Sequence, residues 1–214
     1  VSSILMHAGL DPVVAVGAGL SWAPSGGHAG RGDYMVVEAD EAYGSFLTLR
    51  PEIAVVTNID DDHRDYYGSF DRIMEAFTTY LEQVKPGGTA VLCADDPHVL
   101  TAAENVKCQK VFYGLNGPSG HAGLSGSVPG AWPYYTAVDR ELRGLGSRFR
   151  VMHNGHGVGV IELNVPGEHN IANATAAFAV AHIMGIDPAH ISAGLREYAG
   201  AERRCQVLMR AGGI

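Results

Sequence analysis

The sequence predicts an α/β fold: a mostly parallel sheet flanked by helices, with a small antiparallel side sheet. Short apolar runs that suit buried strands, among them Ile53–Val56 and Thr89–Cys93, alternate with helical patterns in the first half of the chain. This alternation is typical of parallel strands joined by right-handed crossovers. Between Tyr134 and Val165 the apolar residues recur with period two, and His153–Gly157 has the composition of a hairpin turn.

The order of the remaining elements follows from helical spacing and from residues that start or stop helices. A short strand is expected at Val13–Val16, and Leu20–Gly32 is expected to be a loop. A helix begins after Ser69, which can cap it, and runs to about Val84. Further helices are expected near His98–Glu104, at about His169–Met184 and at Pro188–Tyr198, and the glycine-rich segment Gly117–Gly130 is expected to be mobile.

The two ends of the sequence favour a piece of a longer protein. Val1, Ile4, Leu5 and Ala8 recur at helical spacing before Gly9, as in the last turns of a helix. The opposite end, residues 211–214, matches no regular element. We therefore expect a helix that starts before Val1.

Composition excludes several classes of function. The 214 residues are 46% hydrophobic, which is enough for a globular core, and the formal net charge is −8. That charge and the presence of only three lysines argue against a nucleic-acid surface. No apolar run approaches the roughly 18 residues of a membrane span, and no secretory signal is visible. The three scattered cysteines are typical of reduced thiols in a cytoplasmic protein.

Two polar clusters follow predicted strands. Glu38 comes directly after Tyr34–Val37, and His63 follows Ile53–Val56 at a short distance. Both strands are expected to be buried on both faces and to be neighbours, and ligands of open parallel sheets bind beyond the carboxyl ends of strands. We therefore expect Glu38 and His63 to share one crevice and a divalent cation. The alternatives are a solvated acidic turn and a structural histidine.

Two further groups suit a nucleotide. Asn170 and Asn173 are three residues apart, so they share one helix face, where paired amides can bind a polar heterocycle such as adenine. The alternative is that one asparagine caps the helix. Arg203 and Arg204 suit a phosphate, or alternatively a helix C-terminus. The sequence lacks the Gly-x-x-x-x-Gly-Lys pattern of a phosphate loop.

Taken in order, these stretches resemble the Mur ligases. The matching pieces are Glu38–Glu41 with Gly44–Leu47, Thr57–Ile59 with Asp62 and His63, Pro166 and Gly167 with His169, Asn170, Asn173 and Ala174, and finally Arg203 with Arg204. The resemblance implies that residues 1–206 are the central ATP-binding domain, with its phosphate loop before Val1. Residues 207–214 would begin a linker to a C-terminal domain that holds the amino acid, and an N-terminal domain would hold the UDP-sugar.

The resemblance also implies roles for individual residues and a reaction. Glu38 and His63 would bind Mg²⁺, and together with Arg204 they would form the catalytic set. The residues assigned to ATP are Asn58, His169, Asn170 and Asn173, with Arg204 near the phosphates. The reaction is the ATP-dependent joining of L-alanine to UDP-N-acetylmuramate through an acyl phosphate, in peptidoglycan precursor synthesis.

The sequence leaves rival functions open. Phe77 stands where branches of the family that add D-glutamate or a diamino acid carry a modified lysine, so the alanine-adding branch and its tripeptide-adding relative are favoured. A metal-dependent phosphohydrolase built on Asp60–Asp65 is a different possibility, and a non-catalytic binding module is another. If the chain is a ligase fragment, we expect it to be inactive alone.

Overall fold

A six-stranded sheet lies at the centre of the fold, between two layers of helices. The structure is a computed structural model that describes residues 1–116 and 134–200. The strands are β1 (Val13–Ala15), β2 (Gly27–His28), β3 (Met35–Val37), β4 (Ile53–Val56), β5 (Thr89–Cys93), β6 (Gln109–Gly114), β7 (Tyr134–Arg143), β8 (Gly146–His153) and β9 (His156–Leu163). The helices are α1 (Ser2–His7), α2 (Arg64–Tyr67), α3 (Phe70–Glu82), α4 (Pro97–Ala103), α5 (Glu168–Ile183) and α6 (Pro188–Glu197), with a 3₁₀ segment at Ala42–Thr48.

The large sheet has the order β4-β5-β6-β7-β8-β9. Its strands are parallel from β4 to β7 and antiparallel from β7 to β9. The predicted α/β fold with a mostly parallel sheet and flanking helices is confirmed. The antiparallel strands, which we expected to form a side sheet, instead continue the main sheet, because β7 pairs with β6 in parallel.

Alternate residues of the central strands enter two different cores. Val91 and Tyr113 pack with α1, α5 and α6 on one face of the sheet. Leu92 and Phe112 pack with α3 and α4 on the other face. The continuous apolar runs of β5 and β6 are therefore explained by burial on both faces, as predicted for parallel strands.

The predicted helix starts are confirmed by side-chain caps. The hydroxyl oxygen of Ser69 accepts a hydrogen bond from the backbone N–H of Arg72 at the start of α3. Asp187 caps α6 in the same way, with Pro188 in the first turn. Phe77, expected in the buried stripe of α3, is half-buried and packs on Phe46.

The prediction for the first site strand was wrong in two respects. β3 belongs to a separate three-stranded sheet of order β2-β1-β3, so β3 and β4 are not hydrogen-bonded neighbours. β3 is also not buried on both faces, since Met35 is 63% exposed and Val37 is 38% exposed. The physical reason is its position at the edge of the small sheet, where described residues cover only part of it. The expected loop Leu20–Gly32 contains β2, and Gly117–Gly130 lies outside the described residues.

The helices of the two described ranges are all too short or too polar to cross a lipid bilayer.

Candidate functional site

The first part of the candidate site is the acidic turn, Glu38–Phe46, which follows β3. The backbone N–H of Glu38 donates to the carbonyl oxygen of Ala15 at 2.9 Å, which extends the pairing of β3 with β1. Its side-chain Oε2 accepts a hydrogen bond from the N–H of Gly17 at 2.6 Å. Asp40 accepts the N–H of Ala42 at 2.8 Å and so starts the 3₁₀ segment. Glu38 is therefore held at the end of its strand by the loop that follows β1.

The second part is the histidine turn, Asp60–Gly68, which follows β4. His63 has left-handed backbone angles, φ 56° and ψ 33°, and stands at the N-terminus of α2. Asp62 accepts the N–H of His63 at 2.7 Å, and the His63 carbonyl accepts the N–H groups of Tyr66 and Tyr67, each at 3.0 Å. A non-glycine residue in this region of φ and ψ is strained, and such strain is found most often at functional sites.

The two turns meet although their strands belong to different sheets. The Nε2 atom of His63 lies 3.8 Å from Oε1 of Glu41. The hydroxyl of Tyr67 donates to the backbone carbonyl oxygen of Glu41 at 2.6 Å. The structure thus brings the acidic turn against the histidine turn. That Glu38 itself shares an ion with His63 stays a prediction.

The side chains of the two turns fit a magnesium ion in their chemistry. One oxygen of Glu38 is taken by Gly17, and the other accepts no hydrogen bond from any described residue. The His63 side chain is 34% exposed, so its ring can be reached from solvent. No group of three or more His, Cys, Asp or Glu side chains in the described ranges is arranged to hold a metal. Two protein ligands nevertheless suit Mg²⁺, which keeps several waters and takes substrate phosphates as ligands.

Two aspartates of the histidine turn, Asp60 and Asp61, form hydrogen bonds with side chains near them in the sequence. Arg64 forms an ion pair with Asp61, with a hydrogen bond from Nε at 2.7 Å, and this hydrogen bond lowers the pKa of Asp61. Asp60 accepts the side-chain amide of Asn58 at 2.8 Å. These local contacts explain why the sequence is rich in acids here without requiring a hydrolase, so the phosphohydrolase hypothesis gains no support from the geometry.

The predicted pair of amides lines a cavity. Asn170 and Asn173 lie on α5 beside a cavity of about 210 Å³. Its other walls come from α1, α6 and the end of β9, and they include Leu163, Leu195 and Tyr198. Pockets that hold whole drug-sized ligands measure roughly 300–1,000 Å³, so this cavity suits a single ring system with a few polar edges. Apolar walls with two amides are what a flat heterocycle such as adenine requires.

Asn170 has a structural contact, but it is not the helix cap that the alternative explanation required. Its side-chain amide donates to the carbonyl oxygen of Pro166 at 2.6 Å, which ties the first turn of α5 to the preceding loop. It does not cap the helix, because the N-cap residue is Gly167 and no side chain accepts the free N–H groups there. Asn173 is exposed and makes no hydrogen bond with the described residues, so its amide is available to a ligand.

The other assigned residues have different positions. His169 is exposed in the first turn of α5 and packs close to Gly167, where a Cβ would lie 2.5 Å from its ring. Asn58 is exposed at the end of β4 and belongs to the histidine-turn network rather than to the cavity. Arg204 lies outside the described residues, so its proximity to a phosphate stays a prediction.

Three residues that hold the site together were not assigned a role from the sequence. Gly17 binds Glu38, and nothing in the sequence distinguishes it from other glycines. Glu41 was considered only as part of an acidic cluster. Tyr67 had a usable signal, because it follows His63 by four residues in a stretch that begins a helix, a spacing at which backbone groups bond.

Comparison with known proteins identifies the family. The Mur ligase middle domain matches residues 28–181. The chain is 40% identical over 211 residues to the UDP-N-acetylmuramate–L-alanine ligase of Desulforamulus reducens, covering 99% of this chain and 43% of that protein. It is 37% identical over 214 residues to the enzyme of the same name from Syntrophobacter fumaroxidans, covering 100% of this chain and 43% of that protein. The chain thus spans less than half the length of the relatives it matches.

Solved structures give the same result for the fold. The UDP-N-acetylmuramate-alanine ligase of Thermotoga maritima superimposes with a TM-score of 0.79 at 25% identity, covering 97% of this chain and 43% of that one. The UDP-N-acetylmuramate:L-alanyl-gamma-D-glutamyl-meso-diaminopimelate ligase of Neisseria meningitides superimposes with a TM-score of 0.75 at 21% identity, covering 94% of this chain and 62% of that one. At this identity the likeness concerns the fold alone. With the family match spanning most of the sequence, this chain belongs to the Mur ligase family.

Proposed function

We propose that this chain is the ATP- and magnesium-binding part of a ligase that joins L-alanine to UDP-N-acetylmuramate. The relatives that cover the whole chain at 37–40% identity carry that name. Since this chain spans 43% of each, we propose that the full-length protein also has an N-terminal domain for the UDP-sugar and a C-terminal domain for the amino acid. The reaction uses ATP and a nucleotide-linked precursor, so we place it in the cytoplasm.

The proposed reaction has two steps and balances without a protein nucleophile. A carboxylate oxygen of UDP-N-acetylmuramate attacks the γ-phosphorus of ATP, the bond to the β-phosphate oxygen breaks, and ADP leaves. The amine of L-alanine then attacks the acyl carbon, phosphate leaves and the amine loses a proton. Catalysis of this kind depends on positioning the reactants and on neutralising charge at the phosphoryl group that is transferred.

The residues of this chain would supply that positioning and charge. Glu38 and His63 would hold Mg²⁺, which when bound neutralises the phosphate oxygens. Asn173, with its exposed amide, and Asn170 would bind the adenine edge in the cavity beside α5. Arg204 would lie near the phosphates, where a guanidinium suits phosphate geometry. His169 and Asn58 complete the set that we assign to ATP.

One observation carries the proposal for the metal site. His63 and Glu41 are 22 residues apart and belong to turns that follow strands of different sheets, yet their side chains lie 3.8 Å apart. Glu38 is three residues before Glu41 in the same turn. Both turns are rich in carboxylates, and a cation bound between them would offset their mutual repulsion.

Two strand edges have no partner strand among the described residues, and we propose that a further strand with its phosphate loop lies there. β3 ends the small sheet and β4 ends the large one, and Val36 and Ile53 from these two strands pack against the same core. We propose that residues 1–206 are the central domain and that a strand and phosphate loop preceding Val1 complete it between these edges. Residues 207–214 would then begin the linker to the C-terminal domain.

The proposed function is tested by amino-acid-dependent phosphate release from ATP, measured with the full-length protein and UDP-N-acetylmuramate. L-alanine is expected to support turnover, and Glu38→Gln is expected to abolish it. Glu52→Gln is the matched control, because Glu52 is an exposed glutamate outside both turns. Its Oε1 atom pairs with Nζ of Lys85 at 3.1 Å. Turnover with the alanine-containing tripeptide but not with L-alanine would support the recycling branch instead. Full activity of Glu38→Gln would contradict the metal site.

A further inference from the structure

We propose that Tyr67 is the positioning residue that holds the acidic turn against the histidine turn. The inference rests on the proposed function, because it assumes that Glu38 and His63 bind one cation. It goes beyond that function because Tyr67 supplies no ligand. It sets the distance between the two turns that do.

Tyr67 is bonded to both turns at once. Its backbone N–H donates to the carbonyl oxygen of His63 at 3.0 Å. Its side-chain hydroxyl donates to the carbonyl oxygen of Glu41 at 2.6 Å. One residue therefore joins the backbone of the histidine to the backbone of the acidic turn, across the boundary between the two sheets.

The side chain is rigidly placed and keeps its proton. Tyr67 is 7% exposed and packs in the same core as Phe46, Val56 and Ile59. Burial, with smaller contributions from neighbouring groups, raises the pKa of its hydroxyl above the ordinary value of 10. The hydroxyl is therefore protonated at every physiological pH and remains a hydrogen-bond donor.

Two other side-chain contacts join the turns near His63, and both are weaker than the hydrogen bond from the Tyr67 hydroxyl to the Glu41 carbonyl. The 3.8 Å separation of His63 and Glu41 is too long for a hydrogen bond, and both side chains are more than 30% exposed. Tyr43 and Tyr66 meet edge to face with ring centres 5.7 Å apart, but they are 74% and 51% exposed. The buried hydrogen bond of Tyr67 is the contact that water competes with least.

The acidic turn is strained at the point that Tyr67 holds. The carbonyl oxygen of Glu41 also accepts the N–H of Gly44 at 2.9 Å, which closes a β-turn. Tyr43 occupies the third position of that turn with φ 54°, a conformation that favours glycine. Strained residues persist where surrounding contacts hold the backbone in place. Tyr67 bonds to the backbone of both turns, and each turn contains one such residue, Tyr43 in the acidic turn and His63 in the histidine turn.

The inference predicts a specific effect on metal affinity. Residues that orient metal ligands without touching the metal typically change affinity by about 10- to 100-fold when substituted. Tyr67→Phe removes one hydroxyl and keeps the ring in the core. The Glu41 carbonyl keeps its bond from Gly44, so the variant leaves no backbone group unpaired and is expected to fold.

The experiment compares Tyr67→Phe with Tyr66→Phe in this chain. The Tyr66 hydroxyl makes no hydrogen bond with any residue of the described ranges, so Tyr66→Phe is a matched control one residue away. Two quantities are measured: Mn²⁺ affinity by electron paramagnetic resonance, and hydrogen exchange of the Gly44 and Phe46 amides without metal. Circular dichroism checks that each variant is folded.

We expect Tyr67→Phe to weaken Mn²⁺ binding by about 10- to 100-fold and to speed exchange in the acidic turn, with Tyr66→Phe within about twofold of the wild type. Unchanged exchange in Tyr67→Phe would overturn the positioning role. Faster exchange with unchanged Mn²⁺ affinity would overturn its link to the metal. Mn²⁺ affinity that is also insensitive to Glu38→Gln would instead refute the proposed metal site, which separates the two failures.

Discussion

The contact between α6 and α1 depends on a glycine and can be broken with one methyl group. A Cβ at Gly194 would lie 2.6 Å from the Cα of Ile4 and 3.0 Å from the carbonyl oxygen of Ser3. Carbon atoms pack best at about 3.5–4.0 Å, so Gly194→Ala requires the two helices to separate by about 1 Å. The atoms it meets belong to the backbone and cannot rotate away.

Two opposing terms set the size of the effect. Overpacking of this kind costs about 1–3 kcal/mol, and alanine in a helix gains about 1 kcal/mol over glycine. Because the clash is with backbone, we expect the overpacking cost to lie at the upper end of its range, about 2–3 kcal/mol, which leaves a net loss of about 1–2 kcal/mol. For a chain of this size each kcal/mol lowers Tm by about 2–4 °C, so Tm should fall by about 2–8 °C. Gly194, Ser3 and Ile4 also line the cavity, so adenine-nucleotide affinity should fall as well.

Thermal unfolding followed by circular dichroism measures this effect, with Gly157→Ala as the matched control. A Cβ at Gly157 would make only ordinary contacts, 3.7 Å from Arg150 and 3.8 Å from Met152. Its Tm should therefore change little. A Gly194→Ala chain that unfolds at the wild-type temperature and binds nucleotide normally would refute the reasoning about α1, α6 and the cavity.

Three other predictions concern pH, packing and the ligand. Burial, followed by two neighbouring histidines, lowers the pKa of His153 below its ordinary 6.5. As the pH falls, His153 therefore takes up a proton more readily in the unfolded chain than in the folded one. Stability is retained above pH 6.5 and declines as the pH falls below that value. His153→Gln should therefore reduce the fall in Tm between about pH 7.5 and about pH 5.5. Gly114→Ala would place a Cβ 2.7 Å from the hydroxyl oxygen of Tyr134 and 2.9 Å from both carboxylate oxygens of Asp95. Asp95 can move only by giving up its hydrogen bonds from Leu115 and Asn116, so urea unfolding should show a loss of about 1 kcal/mol. Asn173→Ala should leave Tm unchanged and weaken ATP binding by the full-length protein about tenfold in a calorimetric titration, the loss of about one hydrogen bond.

Elements whose signals are local were predictable from the sequence. Ser69 and Asp187 cap the helices that follow them, as their side-chain chemistry requires. Asn154 and Gly155 both have positive φ in the hairpin between β8 and β9, which is the conformation their residue types favour. The strand Thr89–Cys93 has the predicted bounds, because an apolar run bounded by turn residues leaves little choice.

Features that depend on distant neighbours were not predictable. Val37 has the same residue type as the buried Val91 of β5, but its exposure is decided by which strand lies beside it, and no local pattern reports that. The continuation of the main sheet into β7 depends on pairing between Phe112 and Tyr134 across an intervening segment. The site shows the same division. Glu38 and His63 were predicted from residue type and position after a strand, whereas the hydrogen bonds from Gly17 to Glu38 and from Tyr67 to Glu41 depend on segments that are distant in the sequence.

The position at which a paramagnetic ion binds tests most directly whether Glu38 and His63 share a cation. Mn²⁺ is added to the isotope-labelled chain, and line broadening is mapped residue by residue by nuclear magnetic resonance. We expect one ion per chain, with broadening strongest at Glu38 and His63 together, and loss of that pattern in either Glu38→Gln or His63→Ala. Broadening that reaches only one of the two residues, or that survives both substitutions, would contradict a shared cation.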